Sequence, residues 1–174
     1  MACVSFSGGI SNDCSNNIGG LTKLYLTDFE NISSYTQAGG TVSAITLVGA
    51  TPSYGFYEFA FNRNSATFTE DLVKSVEAGS ALFEQTVTVT IPKRDVAKRN
   101  TLSLLTQRDL AVIVKDSNGI YWYPGAQEGM YLAESTSTSG TNKVDGSNYV
   151  LTLKGFEKER AYVVNPSIIT NLLA

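Results

Sequence analysis

The chain of 174 residues contains no histidine. That removes the commonest general base, the commonest proton shuttle and the commonest nitrogen ligand for zinc. Hydrolases of the Ser-His-Asp or Cys-His type are excluded with it. Cysteine is scarce: Cys3 and Cys14 stand alone, and two thiols make no disulfide framework. The plain reading is two small reduced side chains in an N-terminal segment, with mutual pairing left open. Charged residues make up only 17%, against about 25% in an average soluble domain. The net charge of −3 argues against a basic face that grips nucleic acid. Long apolar runs are missing too. The longest aliphatic stretch, residues 110–114, falls far short of the ~20 residues needed to span a bilayer. The first residues lack a basic region followed by an apolar stretch, so the expectation is a soluble protein made in the cytoplasm and not exported by the usual signal.

What fills the gap is small and polar: 18 Ser, 18 Thr and 12 Asn. The length suits one domain with a self-sufficient core. Residues 1–20 form a Gly/Ser/Asn-rich N-terminal arm, punctuated by Gly8-Gly9 and Gly19-Gly20, too poor in apolar groups to pack alone. Residues 21–164 read as a β domain. Residues 165–174 carry Ile168, Ile169, Leu172 and Leu173, an apolar helical face on a peptide too short to be stable by itself. Such a peptide must dock on something.

Within the domain, strands are expected at residues 21–26, 41–48, 56–62, 86–91, 110–114, 120–123, 130–134, 149–155 and 160–164. Alternation puts Tyr57, Phe59 and Phe61 on one face of the third. Val87, Val89 and Ile91 alternate with Thr86, Thr88 and Thr90, one apolar face against a ladder of hydroxyls. That pattern suits a sheet with its back in a core and its front in water. Residues 69–79 allow two readings: a short helix capped by Thr69, or a hairpin turning around residues 77–80. The β signal on both sides favours the hairpin. One helix is expected over residues 94–107, with Ala97, Thr101, Leu104 and Leu105 along its apolar stripe. Lys93, Arg94, Lys98 and Arg99 at its start read as a solvated end or a subunit-contact patch. Asn118-Gly119 between two β-rich runs signals a two-residue hairpin turn. Residues 135–147 read as a mobile Ser/Thr/Gly-rich loop.

Chemical motifs are thin. Glu70, Asp71, Glu77 and Glu84 lie close in sequence, but nothing places them in a pocket that would split their pKa values. They read as solvated. Asp116-x-Asn118-Gly119 opens like a calcium loop but lacks the terminal acidic ligand at the right spacing. No phosphate-binding or dinucleotide fingerprint is present. Tyr121, Trp122 and Tyr123 suggest a sugar-stacking platform. Consecutive strand residues point to opposite faces, however, so at most two of the three share a surface. The expectation is a chain with no catalytic residues, no cofactor and no metal: a subunit rather than an enzyme.

One family pattern does emerge. The run Lys115-Asp116-x-Asn118-Gly119-x-x-Trp122-x-x-Gly125, then Glu128-Gly129, Gly140 and Asp145-Gly146-x-x-Tyr149-x-Leu151-Thr152-Leu153-x-Gly155-x-Glu157, resembles small virion proteins of tailed bacteriophages. Among them it is most similar to tail-tube and neck-ring subunits of phages infecting gut bacteria, crAss-like ones included. Gly9-Ile10-x-x-Asp13-Cys14 and Gly19-Gly20-Leu21 fit as well. The likeness covers most of the chain loosely, and its motifs are turn-rich rather than chemically diagnostic.

The resemblance implies a mainly β fold: two packed antiparallel sheets, a tail-tube-like sandwich or barrel, with one flanking α-helix. It implies homo-oligomeric rings, six-fold in tubes or twelve-fold at a neck, whose inner sheets join into a barrel around passing double-stranded DNA. Partners would be copies of itself and adjacent tail or portal/neck proteins, with no specific DNA binding and no membrane. The location implied is the virion tail or neck. On that reading Thr86, Thr88 and Thr90 face the lumen with Glu70, Asp71, Glu77 and Glu84, while Ile168, Ile169, Leu172 and Leu173 contact a neighbouring subunit. A carbohydrate-binding β-sandwich, a capsid decoration protein and a tail-completion protein are the alternatives.

Overall fold

The computed structural model describes residues 8–10 and 15–174. The expectations placed on Cys3 and Cys14 lie outside the described residues. Eleven strands form two sheets. The larger contains β1 (Leu21–Asp28), β2 (Ile32–Ala38), β3 (Thr41–Leu47), β4 (Tyr57–Glu58), β7 (Leu110–Asp116), β8 (Tyr121–Tyr123) and β11 (Tyr162–Val164), in the order β2-β3-β11-β8-β7-β1-β4. The smaller contains β5 (Ala66–Ser75), β6 (Ser80–Pro92), β9 (Tyr131–Thr138) and β10 (Asn148–Glu157), in the order β5-β6-β10-β9. Every pairing is antiparallel except β3 with β11. Neither sheet closes on itself. The mainly β, two-sheet architecture is therefore as expected, with two helices rather than one: α1 (Val96–Leu105) and α2 (Pro166–Leu172).

The central strand explains the layering. The apolar run of β7 has no polar alternation because both its faces are covered. Leu110, Val112 and Val114 join Leu24, Leu26, Val87, Val89, Leu151 and Leu153 in the core between the sheets. Ala111 and Ile113 join Tyr25, Phe56, Tyr123 and Val164 in a second core on the opposite face. Strand β6 shows the other pattern: Val87, Val89 and Ile91 are buried, while Thr86, Thr88 and Thr90 are part-exposed.

The second core is where the C-terminal peptide docks. Asn165 caps α2 by accepting from Ser167 N at 3.1 Å, and Pro166 occupies the first helical turn, where its missing N–H is no loss. Ile169 and Leu172 are buried against the chain's own larger sheet. Beyond the helix, Phe56 N donates to Leu172 O at 2.7 Å and Ala174 N to Phe56 O at 3.0 Å. This approach requires Gly55, since a Cβ there would stand 2.9 Å from both Ala174 N and Leu172 O. The partner that the peptide needs is thus the chain itself. The apolar face of Ile168, Ile169, Leu172 and Leu173 is covered internally, which corrects its assignment as a surface held out to a neighbouring subunit.

Other departures have local causes. Residues 69–79 belong to the β5–β6 hairpin, paired without interruption from Ala66 to Ser75. Residues 56–62 give only the short strand β4, because the chain crosses between sheets there. Phe56 is buried in the second core, whereas Phe59 and Phe61 pack on the first and Tyr57 stays exposed. In α1 the buried residues are Leu102 and Leu105, while Val96 and Leu104 face outward. The expected stripe is rotated. At the β7–β8 turn only Gly119 has positive φ, at 89°, so the turn is a tight bend followed by a glycine bulge instead of a two-residue mirror-image turn. Asn118 and Ser117 hold the arm: Ile18 N donates to Asn118 Oδ1 at 2.9 Å, and Ser117 N to Gly20 O at 3.0 Å. Residues 135–138, expected in a loop, extend β9.

Leu172→Ala should lower the free energy of unfolding by about 2–5 kcal/mol, read from urea titration. A loss below about 0.5 kcal/mol, the range of an ordinary surface substitution, would show that α2 does not close the second core.

Candidate functional site

Strand register carries the hydroxyl ladder across the whole smaller sheet. Thr86 lies opposite Thr69 on one side and Lys154 on the other; Thr88 lies opposite Thr67 and Thr152. Glu134 continues the Thr88–Thr152 row on β9, and Thr136 pairs with Val150. The result is a solvent-facing surface of hydroxyls edged by a few charges. Lys154 Nζ donates to Glu84 Oε1 at 2.6 Å, and this bond raises the lysine's pKa. Among the described strand residues, Lys154 is the cation that the register puts on this face, and its charge is paired. Glu134, Lys154 and the Thr67/Thr69/Thr152 hydroxyls escape single-strand reading, because only the pairing reveals which strands flank β6.

The sequence-predicted acidic set does not stay together. Asp71 lies opposite Glu84 on the hydroxyl face. Glu77 sits in the turn at the far tip of the β5–β6 hairpin. Glu70 belongs to the opposite face, in register with Gln85. There it accepts from Ala161 N at 2.5 Å and Gln85 Nε2 at 3.3 Å, with Arg160 at 3.6 Å. Glu70 is a clamp between β5 and the segment entering β11, while Thr86, Thr88, Thr90, Asp71 and Glu84 share the exposed face.

That clamp belongs to a polar cluster at one end of the sandwich. Gln85, 1% exposed, also accepts from Gly125 N at 2.8 Å and donates to Glu159 O at 3.2 Å. Glu157, 3% exposed, uses Oε1 to accept from Gln127 N and Glu128 N at 3.0 and 3.1 Å. Its Oε2 and the Tyr123 hydroxyl are buried without a hydrogen-bond partner among the described residues. Burial is the main reason that the Glu157 carboxyl titrates above the usual range, with Glu128 adding repulsion against the two N–H bonds that oppose it.

The aromatic triplet makes no sugar platform. Tyr123 is fully buried; Trp122 packs near Phe68 and donates Nε1 to Asp116 Oδ2 at 3.1 Å; Tyr121 lies beneath Lys115. Asp116 also accepts from Ile120 N, so its carboxylate serves the turn. Among the described residues, no group of three or more acidic, Cys or His side chains is placed to hold a metal. No helix among them is long and apolar enough to cross a membrane.

Two features were not legible in sequence. The first is an open groove of about 820 Å³ beside α1, lined by Phe59, Phe61, Ile91, Leu102, Leu104 and Leu105 among others. The second is the state of the sheet edges. The edges of the larger sheet are poor templates: β4 has two residues, and β2 is broken by two register shifts. Those of the smaller sheet are the ten-residue β5, uninterrupted, and the eight-residue β9, with one shift between Leu132 and Glu134. Long regular edges with free N–H and C=O groups are templates for another strand.

No protein-family model matches the chain, and no curated protein matches it significantly.

A carboxyl whose pKa is raised on folding contributes most below its unfolded value, here 4.5, and that contribution is lost as pH rises through the folded value. Urea titrations of wild type and Glu157→Gln from pH 4 to pH 7 should therefore diverge. The wild type should lose stability relative to the variant as pH rises across this window. Parallel curves would show that Glu157 carries no such penalty.

Proposed function

We propose that the chain is a structural subunit of a tailed-phage virion, which closes laterally into a ring and lines a conduit for DNA in the tail tube or neck. One observation supports this above the others: the smaller sheet ends in two long, uncovered edges, β5 on one side and β9 on the other. Pairing β9 of one copy with β5 of the next is a heterologous contact, and such contacts generate a ring when the rotation closes. Ring closure removes every free edge of that sheet at once, the remedy for an otherwise aggregation-prone template.

The exposed face of the same sheet suits a lumen. Thr67, Thr69, Thr86, Thr88, Thr90 and Thr152 offer hydrated neutral hydroxyls in adjacent rows. Asp71, Glu84 and Glu134 supply negative charge, and the one strand cation, Lys154, is held by Glu84. A phosphate backbone passing over this face meets no unpaired cation among the strand residues, and like charge keeps it from settling. The buried aromatic triplet removes the main support for a carbohydrate-binding reading. Copies of itself and adjacent tail or neck proteins are the partners on this proposal.

Negative-stain electron microscopy beside light-scattering mass should show closed rings with a central hole at high protein concentration. Thr69→Lys combined with Thr136→Lys puts like charge on both joining edges without touching the core. The double variant should keep its unfolding midpoint and lose its rings. Rings that survive it would exclude the β5–β9 joint, and a wild-type monomer at every attainable concentration would exclude self-assembly. In phage carrying the assembled ring, replacing Asp71, Glu84 and Glu134 by their amides should slow genome ejection. Unchanged kinetics would remove the electrostatic part of the proposal.

A further inference from the structure

The β5–β6 hairpin outruns its sheet. Strand β10 accompanies β6 only from Phe83 to Pro92. Beyond that point Leu72–Ser75 and Ser80–Leu82 pair with each other alone, a two-stranded ribbon closed by the turn at residues 76–79. Such a ribbon is at best marginally stable in water without something packed on it. It nonetheless carries Leu72, Val73 and Val76 in the open, the last 84% exposed. Its charges are Asp71 and Glu77 against Lys74.

The opposite end of β6 carries a complementary surface. Thirteen residues of strand separate the two ends by roughly 40 Å. There, α1 leaves Val96 73% and Leu104 63% exposed, and Leu104 lines the open apolar groove with Phe59 and Phe61. Lys93, Arg94 and Arg99 stand exposed around the helix start. Lys98 does not join them, because its ammonium is tied to Pro92 O at 2.6 Å and Lys93 O at 3.0 Å. The groove's own ion pair, Arg108 with Asp28, is internally matched. One end of the molecule is thus apolar and acidic, the other apolar and basic, and neither has a partner within the chain.

We infer that two copies of this chain associate end to end, the β5–β6 hairpin tip of one seating in the α1 groove of the next. The occupant is a second copy because that copy already offers an apolar ribbon of opposite charge to the groove's rim. The contact is heterologous and related by translation along β6, so it does not close and propagates as an open stack. It is separate from the lateral β5–β9 joint, which uses the outer edges of the smaller sheet. A ring without stacking and a stack without rings are both geometrically available.

Disulfide trapping tests the contact. Val76→Cys and Leu104→Cys, each in a Cys3→Ser, Cys14→Ser background, are mixed in equal amounts and oxidised. Both positions are exposed, so circular dichroism and the unfolding midpoint should match wild type. A covalent dimer should form in the mixture and be lost in each variant alone. Val76→Asp should weaken end-to-end association by roughly tenfold in sedimentation velocity. Absence of the mixed dimer, or equal dimer in the separate samples, would overturn the inference. The Thr69→Lys, Thr136→Lys variant distinguishes the two contacts. A mixed dimer that forms in this background without rings supports stacking while the lateral reading falls; rings without a mixed dimer do the reverse.

Discussion

Double burial of β7 is the constraint from which the rest of the molecule follows. A strand with Leu110, Val112 and Val114 on one side and Ala111 and Ile113 on the other must be covered twice. The smaller sheet and α1 provide one cover. The other is assembled from Phe56, Tyr123, Tyr162 and the C-terminal helix, which is why so short a peptide is ordered. With both faces of the larger sheet committed to packing over its centre, the hydroxyl face left to solvent belongs to the smaller sheet. Function, on the reading proposed, sits on the sheet that β7 does not occupy.

The polar cluster around Gln85 has a different task. Apolar packing is tolerant of sliding, whereas a buried amide with three partners on separate segments is not. Gln85 contacts Glu70, Gly125 and the backbone at Glu159, and Glu157 gathers the N–H groups of the 127–128 turn. Together they pin β5, β6, the loop after β8 and the entry to β11 at one end of the sandwich. A carboxyl held there at the expense of its ionised form indicates that position, more than net stability, is what the cluster secures.

Much of this was legible in advance, for stated reasons. The Thr/Val alternation of residues 86–91 reports a half-buried strand directly, and the run at 110–114 reports a fully buried one. The need of residues 165–174 for a dock was equally plain, though not where the dock lay. What failed depended on tertiary context. Residues 56–62 alternate cleanly but serve two cores in succession, so periodicity misleads there. Leu104 looks like core and Leu102 like its neighbour, yet the angle at which α1 meets the sheet reverses them. Glu70 and Asp71 are adjacent in sequence, and the pleat sends one to a buried clamp and the other to the open face. The groove beside α1 has no sequence signal, because its walls come from segments far apart in the chain.

The parallel pairing of β3 with β11 bears on the order in which the molecule can be made. Strand β11 is the only link between the β2–β3 ribbon and the rest of the larger sheet. During synthesis that ribbon emerges early and finds no neighbour until residues 162–164 leave the ribosome. Ile45 and Leu47, which pack on the second core in the finished protein, stay uncovered throughout that interval. Folding of the larger sheet is therefore gated by a contact of very long sequence separation, which slows the reaction and prolongs exposure to chaperones and to other nascent copies.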